Sequence, residues 1–385
     1  MRSRVEAWTE LLRLPALFTV PGDVLAGAAA TGARSDTRTL LAIGSSLCLY
    51  EAGMALNDWA DHEEDAAERP HRPLPSGRIR PAAALTAACG LTATGLALAA
   101  RAGRPAVAVA VPLAATVWAY DLALKHTPAG PLAMATARGL DLLLGAAATG
   151  GDLRPAVPSA ALLGTHTLAV TAVSRGETRG GSSLAPLAAL ATTGLLARLV
   201  AGRPIRLPAG RRAAAAPDLP GPTTGRPDRG GLSGPAGGGA DRGGLSGPTA
   251  GGADRRGLSG PTAGGADRRG LSGPTAGGAD RRGLPGPTAG RPGHRDVSGL
   301  SAAQVTAALT TSLAAVYAAT AARPYFHAAL NPSPPLTQRA VGGGIRATIP
   351  LQAALTARAG GPATALLIAA LAPLGRRFAR KVSIT

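Results

Sequence analysis

The chain contains a succession of apolar segments, each close to the length of a membrane-spanning helix. A helix needs about 20 predominantly apolar residues to cross a bilayer. The segments are rich in Ala, Gly, Ser and Thr, which allow helices to pack closely inside a membrane. The sequence therefore predicts an all-α, polytopic transmembrane helical bundle of nine or ten spans. The candidate spans are residues 14–32, 39–57, 82–100, 105–123, 130–149, 156–173, 184–201, 299–322, 341–358 and 361–375.

The composition fits a membrane protein better than a set of soluble domains. Three Phe, three Trp and four Tyr in 385 residues are little aromatic material for large soluble cores. The net charge is +18 although the mean hydropathy is positive, +0.14, as expected when apolar spans alternate with basic loops. Cys48 and Cys89 are the two cysteines, too few for a disulfide framework or a four-cysteine zinc site.

The distribution of basic residues predicts the orientation of the bundle. Loops on the cytoplasmic side of a membrane carry an excess of Lys and Arg. Pro15, Pro21 and Asp23 interrupt the first apolar segment, so we do not expect a cleavable signal peptide. We expect an integral, multi-pass protein of the plasma membrane with a cytoplasmic N-terminus. The basic residues on the predicted cytoplasmic side are Arg2, Arg4, Arg13, Arg69, Arg72, Arg78, Arg80, Lys125, Arg175 and Arg179.

Residues 202–298 differ in character from the apolar segments. The 13-residue unit GGADRRGLSGPTA occurs at 251–263 and again at 264–276. One Leu per unit cannot bury an apolar face, so we predict a disordered insert between bundle segments 1–201 and 299–385. Its paired arginines could neutralise phosphates, which makes a nucleic-acid-binding arm an alternative. The repeat lacks the aromatic residues that stack on bases, so we favour a linker and expect no nucleic-acid partner.

An acidic motif at the end of the second span carries the strongest chemical signal. On a helix, Asn57, Asp61 and Asp65 recur every four residues and share one face, and Asp58 precedes Asp61 by three residues. Closely spaced carboxylates repel one another unless a cation lies among them. Mg²⁺ typically takes one or two carboxylates together with phosphate oxygens and water. The pattern indicates a Mg²⁺–diphosphate site, the alternative being a solvated acidic helix end.

A proline-rich loop with two arginines follows this motif. Arg69 and Arg72 could bind the phosphates, because a guanidinium can contact phosphate bidentately. The stretch NDWADHEED at 57–65, followed by RPHRPLPSG at 69–77, resembles the first aspartate-rich motif of the UbiA superfamily of intramembrane prenyltransferases. The resemblance implies a helical bundle whose central cavity holds an isoprenyl diphosphate through Mg²⁺. It also implies transfer of the isoprenyl group to an aromatic or other nucleophilic acceptor.

The resemblance implies roles for individual residues of the first motif. Asn57, Asp61 and Asp65 would bind metal, with Asp58 supporting them, and Arg72 would contact the diphosphate. Lys125 follows the helix end that bears Tyr120, where the family commonly has a basic residue that contacts phosphate. A ring face or a hydroxyl of Tyr120 could assist at the same place.

The second aspartate-rich motif of the family is reduced in this chain. The loop after the sixth span reads SRGETRGG at 174–181, and Glu177 is its single acidic residue. Glu177 would be a weak metal ligand, and Arg175 or Arg179 could stabilise the phosphates directly in its place. This loop resembles that of an EboC-like branch of the superfamily.

Six ionisable residues fall within the predicted spans. Charges at membrane depth usually face a cavity or a partner. Arg138 and Asp141 lie three residues apart and can pair, Asp121 fits an interfacial position, and His166 fits a packing histidine better than a base. The six are Asp23, Glu51, Asp121, Arg138, Asp141 and His166.

Two functions follow from the sequence. The leading hypothesis is a Mg²⁺-dependent membrane prenyltransferase that transfers an isoprenyl group from a prenyl diphosphate to a small lipophilic acceptor, with an aromatic acceptor favoured. Because the second motif is reduced, the alternative is a related non-catalytic protein that binds or transports a lipid diphosphate or a lipophilic metabolite.

Overall fold

A computed structural model describes residues 4–176, 182–202 and 301–382. Within these ranges every regular element is helical and no strand occurs, and the described residues fall within one compact unit. The predicted all-α fold is therefore confirmed. Residues 203–300 lie outside the described ranges, so the disorder of the insert and its boundaries stay predictions.

The helices follow the predicted spans, with different ends. Each candidate segment contains one main helix. Two short helices are additional, one near the N-terminus and one that contains the last part of the acidic motif. In chain order the elements are α1 (Arg4–Leu11), a 3₁₀ segment (Leu14–Thr19), α2 (Val20–Ala30), α3 (Thr37–Ala60), α4 (His62–Glu68), α5 (Pro81–Ala102), α6 (Arg104–Ala119), a π-helical turn (Tyr120–Leu124), α7 (Gly130–Thr149), α8 (Val157–Ser174), α9 (Leu184–Ala201), α10 (Ala302–Leu330), α11 (Pro334–Arg358) and α12 (Pro362–Val382).

Six helices of the described residues are long and apolar enough to cross a membrane. They are α3, α5, α6 extended by the π turn, α8, α9 and α10, and the apolar helical stretches Leu17–Ala30 and Pro362–Gly375 are shorter. Helices α7 and α11 have spanning length but include charged residues, Arg138 and Asp141 in one and Arg339 and Arg346 in the other. The total of nine or ten spans stays a prediction.

A capping residue explains where α3 begins, and a glycine on the neighbouring helix explains how α10 continues through a proline. Asp36 caps α3, since its Oδ1 accepts hydrogen bonds from the Arg38 and Thr39 amides at 2.9 and 3.1 Å. Helix α10 extends to Leu330, eight residues beyond the predicted end, and it contains Pro324. A Cβ at Gly343 of α11 would lie 2.8 Å from the Pro324 ring. The proline is therefore tolerated where the neighbouring helix leaves space for its ring.

Glycines bring α2 and α7 into backbone contact near the centre of the bundle. A Cβ on Gly27 would lie 1.8 Å from the Leu142 carbonyl oxygen, and one on Gly145 would lie 2.0 Å from the Val24 carbonyl oxygen. Both distances are too short for any side chain. This contact fixes α7 against α2 and so positions the face of α7 that lines the cavity described below.

Candidate active site

The acidic motif lies across the junction of α3 and α4. Helix α3 ends at Ala60, and Asp61, with φ −94° and ψ 4°, separates the two helices. The Asp61 amide donates to the Asn57 carbonyl at 3.0 Å, and the Asp65 amide donates to the Asp61 carbonyl at 2.8 Å. The four-residue register that the sequence predicts is therefore kept across the interruption.

The loop after α4 is held by two buried side chains and one arginine. Leu74 and Ile79 pack in an apolar cluster with residues of α1 and α5. Arg78 donates to Glu10 of α1 at 2.7 Å and to the His71 carbonyl at 2.7 Å. These contacts fix a loop that has no regular secondary structure, and they place its arginines beside the acidic motif.

Arg72 joins this loop to two carboxylates of the motif. Its Nη1 atom lies 2.5 Å from Asp65 Oδ2 and 3.7 Å from Asp58 Oδ1, while Arg69 Nη1 lies 3.5 Å from Asp65 Oδ1. The Asp65 and Asp58 side chains are only 5% and 7% exposed, and that of Arg72 is 22% exposed. The structure thus brings Asp58, Asp65, Arg69 and Arg72 into one ion-pair network.

Arg13 belongs to the same network although the sequence suggested only a topological role for it. Its Nη2 atom donates to Asp58 Oδ1 at 3.1 Å. Its backbone is left-handed, with φ 47° and ψ 44°, which is uncommon for a residue other than glycine. Arg13 lies 45 residues before Asp58, so no local pattern could have linked the two.

The π-helical turn after α6 brings two further groups to the motif. The Lys125 amide donates to the Tyr120 carbonyl at 2.9 Å, one residue further back than in an α-helix. The Lys125 ammonium pairs with Asp61. Asp121, which is 4% exposed, accepts a hydrogen bond from Asn57 Nδ2 at 3.2 Å. Asp121 is therefore a buried member of the site.

A cavity of about 600 Å³ extends from this end into the bundle. Asn57, Tyr120 and Asp121 line it at the motif end, and apolar side chains such as Met54, Leu113, Val117 and Met134 line its middle. A polar end attached to an apolar chamber has the shape and chemistry that an isoprenyl diphosphate requires.

The far end of the cavity is polar again. Arg138 and Asp141 of α7 line it, but Arg138 pairs with Asp23 of α2, with Nε 2.9 Å from Asp23 Oδ2. His166 is buried, and its ring nitrogens lie 3.1 Å from the Tyr317 hydroxyl and 3.1 Å from the Gly344 carbonyl. These contacts agree with the packing role expected for His166.

The loop after α8 is described only in part. Arg175 Nη1 donates to the Thr127 carbonyl at 2.7 Å, which brings it to the loop that follows Lys125. Glu177 and Arg179 lie outside the described residues, so their predicted roles stay predictions.

The donor set at the motif end fits a hard divalent cation. The carboxylates of Asp58, Asp61, Asp65 and Asp121 and the amide oxygen of Asn57 are the type of ligand that Mg²⁺ prefers. Glu64 and His126 were not expected here, yet each has a ligand atom within 4.8 Å of one on Asp61, and the three atoms lie within that distance of one another. Both are exposed, so they extend the donor set on the outer side.

Residues 16–197 match the model of the UbiA prenyltransferase family. The match covers the acidic motif, the arginine loop, the π turn and the cavity-lining helices from α2 to α8, and it confirms the resemblance of the motif.

The chain is similar to curated relatives over part of their length. It is 36% identical over 129 residues to the digeranylgeranylglyceryl phosphate synthase of Methanopyrus kandleri, covering 32% of this chain and 46% of that protein. It is 32% identical over 168 residues to the enzyme of the same name from Natronomonas pharaonis, covering 43% and 61%. The chain thus spans about half to three fifths of these relatives.

Solved structures of UbiA homologues are similar to part of this chain. The apo structure of a UbiA homologue from Aeropyrum pernix K1 has a TM-score of 0.43 at 20% identity, covering 48% of this chain and 76% of that chain. A UbiA homologue from Archaeoglobus fulgidus bound to GPP and Mg²⁺ has a TM-score of 0.42 at 18% identity, covering 51% and 76%.

Proposed function

We propose that this chain is a Mg²⁺-dependent membrane prenyltransferase that transfers an isoprenyl group from a prenyl diphosphate to a lipophilic acceptor. The observation that carries this proposal is the arrangement of the cavity. Arg13, Asn57 and Asp121 line one end of it, where Arg13 also donates to Asp58 of the acidic motif, and an apolar chamber continues from there. The match of residues 16–197 to the UbiA prenyltransferase family supports the same reaction class.

Binding of a Mg²⁺–diphosphate complex would require the carboxylates and cations at the motif end to leave one another, and their arrangement suits that exchange. Each of the four carboxylates of the motif end contacts a cation or an amide of the same site. A Mg²⁺–diphosphate complex brings charges of both signs. The carboxylates can turn to the metal while the cations turn to the phosphate oxygens, and the net charge of the site changes little. The cations are Arg13, Arg69, Arg72 and Lys125.

The residues of the site have separate tasks in the proposed reaction. Asn57, Asp61 and Asp65, supported by Asp58, would hold Mg²⁺, which neutralises charge on the departing diphosphate. Arg72 and Lys125 would donate hydrogen bonds to the same phosphate oxygens.

Residues of the reduced second motif would also assist the departure of diphosphate. Arg175, and the predicted ligand Glu177, would act from the loop after α8, close to the loop that follows Lys125. The apolar middle of the cavity would exclude water from the allylic cation that forms when the diphosphate leaves.

The acceptor is the least constrained part of the proposal. The sequence favours a small lipophilic, aromatic acceptor, whereas the name of the curated relatives, digeranylgeranylglyceryl phosphate synthase, adds a glyceryl phosphate lipid as a candidate. We further propose that the chain lies in the plasma membrane with a cytoplasmic N-terminus, so that the diphosphate would enter from the cytoplasmic leaflet.

Carboxamide substitutions at the motif test the proposal. Purified chain in lipid nanodiscs would receive labelled prenyl diphosphates of several lengths, a panel of phenolic and glyceryl phosphate acceptors, and Mg²⁺ or EDTA. We expect Asp61→Asn and Asp65→Asn each to lower transfer on the order of 100-fold, and EDTA to abolish it. Glu63→Gln is the matched control, because Glu63 is an exposed residue of the same short helix. Full transfer by both aspartate variants would contradict the assigned metal role.

The second candidate is a non-catalytic protein that binds or transports a lipid diphosphate. It is favoured by the loop at 174–181, which has a single acidic residue. Tight Mg²⁺-dependent binding of the prenyl diphosphate without product from any acceptor would support this candidate. Diphosphate release coupled to alkylation would reject it.

A further inference from the structure

Three side chains with metal-ligating groups lie together on the outer side of the acidic motif. Ligand atoms of Asp61, Glu64 and His126, called here the outer cluster, lie within 4.8 Å of one another. Two ligands of one ion are about 3–4.4 Å apart when each lies about 2.0–2.2 Å from it. Small side-chain rotations would therefore bring all three atoms to a single ion.

Asp61 and Glu64 are neighbours on the surface of the short helix α4. Asp61 precedes the first residue of this helix, and Glu64 lies in its first turn. Residues three apart on a helix face the same side. Lys125 pairs with Oδ1 of Asp61, which leaves Oδ2 for an ion. Glu64 is exposed, and it has no hydrogen-bond or ion-pair partner among the described residues.

His126 belongs to a segment whose backbone is held on both sides. The ammonium of the preceding Lys125 pairs with Asp61. The following Thr127 donates from its amide and from its hydroxyl to the Leu124 carbonyl, at 2.9 and 2.7 Å. The imidazole is exposed and has no hydrogen-bond partner in the part of the chain that the structure describes. The ring therefore lies beside the two carboxylates with neither nitrogen bonded to a described group.

The loop of the reduced second motif reaches the same place. Arg175 of this loop donates to the Thr127 carbonyl at 2.7 Å, one residue from His126. The resemblance to the family implies metal-binding aspartates in this loop, but its residues 174–181 include a single acidic one, Glu177. The outer cluster therefore offers ligands beside a loop that lacks them.

The ligand types of the outer cluster define the class of ion that it would bind. Imidazole suits divalent transition-metal ions such as Zn²⁺, Fe²⁺ and Ni²⁺, whereas Mg²⁺ prefers oxygen ligands. Two carboxylates and one imidazole leave an open position on such an ion, which water or a phosphate oxygen would fill. When Lys125 turns to the phosphate, the two carboxylates match the charge of a divalent cation.

We propose that Asp61, Glu64 and His126 bind a second divalent ion, of the first transition series, which contacts the diphosphate in place of an ion held by the second motif. This inference rests on the proposed function, because the first ion is the Mg²⁺ of the acidic motif. Asp61 would bridge the two ions, with Oδ1 released by Lys125 for Mg²⁺ and Oδ2 on the outer ion. Two-metal sites use such pairs of ions to neutralise charge on one departing group.

Binding of Co²⁺ alone tests the site, because the visible absorption of this transition-metal ion reports its ligands. The full chain, purified without a polyhistidine tag in lipid nanodiscs, would be titrated with Co²⁺ in excess Mg²⁺, with empty nanodiscs subtracted. We expect one Co²⁺ per chain. Glu64→Gln and His126→Ala should each weaken its binding at least about 10- to 100-fold, since loss of even an outer-shell partner of a metal ligand costs that much.

Exposed neighbours of the same chemistry serve as controls. Glu63→Gln changes a carboxylate in the same turn of α4, and His71→Ala removes an exposed imidazole from the arginine loop. Both should keep the Co²⁺ affinity. His126→Asp should recover part of the affinity that His126→Ala loses and should let Mg²⁺ compete, since a carboxylate is a ligand for both ions. An unchanged affinity in Glu64→Gln and His126→Ala, or an equal loss in the controls, would overturn the site.

Two aspartate variants separate this proposal from the proposed function. Asp65→Asn should lower prenyl transfer but keep Co²⁺ binding, because Asp65 is not part of the outer cluster, whereas Asp61→Asn should lower both. Bound Co²⁺ with no prenyl transfer from any donor would count against the proposed function and support the site. Prenyl transfer with Mg²⁺ but without a Co²⁺ site would overturn the site and leave the proposed function standing.

Geranyl diphosphate binding tests the role of the outer ion. In the presence of Mg²⁺, added Co²⁺ should tighten this binding about 5- to 100-fold, the usual range of coupling between two ligands. His126→Ala should abolish the increase. The same affinity with and without Co²⁺ would overturn the contact between the outer ion and the diphosphate.

Discussion

Replacing Arg72 by methionine should affect stability and diphosphate binding through different partners. Arg72 contacts Asp65 at 2.5 Å and Asp58 at 3.7 Å. In its absence Asp65 keeps Arg69 at 3.5 Å and Asp58 keeps Arg13 at 3.1 Å. The loss should therefore be smaller than the roughly 3–5 kcal/mol of a buried charge left without any partner. We expect Arg72→Met to lower the free energy of unfolding by about 1–3 kcal/mol.

The affinity for prenyl diphosphate should fall as well. Arg72 would donate charge-assisted hydrogen bonds to the phosphates, and losing them should weaken binding about 10- to 100-fold. Thermal unfolding in nanodiscs and equilibrium binding of geranyl diphosphate with Mg²⁺ would measure the two effects. Arg72→Lys should recover part of the affinity, because it keeps the charge without the bidentate geometry.

A double-mutant cycle with Asp65→Asn separates the two roles of Arg72. The double variant should lose less stability than the sum of the two single variants, because both substitutions break the same Arg72–Asp65 pair. It should not regain affinity, because the phosphate contact is still missing and a proposed metal ligand has also been removed. Recovery of affinity together with stability would show that Arg72 serves only as a counter-ion of Asp65 and would refute the phosphate role.

Three further predictions concern packing, the arginine loop and the insert. Gly145→Ala should destabilise the bundle by at least about 1–3 kcal/mol in thermal unfolding, because the new Cβ would lie 2.0 Å from the Val24 carbonyl oxygen. Gly139→Ala should leave stability unchanged, because its Cβ would lie 3.5 Å from its nearest neighbour. Equal destabilisation by the two substitutions would contradict the close-contact explanation. Leu74→Ala should lower the free energy of unfolding by about 2–5 kcal/mol. It should also weaken geranyl diphosphate binding, because it loosens the loop that carries Arg72. Unchanged binding would show that other contacts position this loop. Deleting residues 225–290 should leave folding, measured by size-exclusion chromatography, and prenyl transfer unchanged, and a loss of either would give the repeat a role that its composition does not predict.

Local sequence patterns were sufficient to place the helices and the acidic motif. Apolar segments of bilayer length marked the main helices because helix formation and hydropathy depend on neighbouring residues. The apolar segment predicted at 299–322 ends eight residues before α10 does, and the helix continues through Pro324, which packs over Gly343 of another helix. The apolar run thus located this helix but not its end.

The partners of the charged residues were less predictable than their positions. Arg138 and Asp141 have the spacing of a pair on one helix, yet Arg138 pairs with Asp23 of α2. Spacing indicated no partner for Asp121, and the π turn places this carboxylate beside Asn57. Spacing along a helix defines which residues share a face, while the rotation of the packed helix decides what that face meets.

The sequence by itself determined that this is a helical membrane protein with an acidic motif and an arginine loop suited to Mg²⁺ and diphosphate. Those features depend on residue type and short spacing. Only the tertiary structure brought Arg13 to Asp58, 45 residues away, and Gln352 to Asp23, 329 residues away. Such contacts arise when separate helices pack, and helix packing is set by the fit of whole surfaces, such as Gly145 against Val24, and not by any local run of residues.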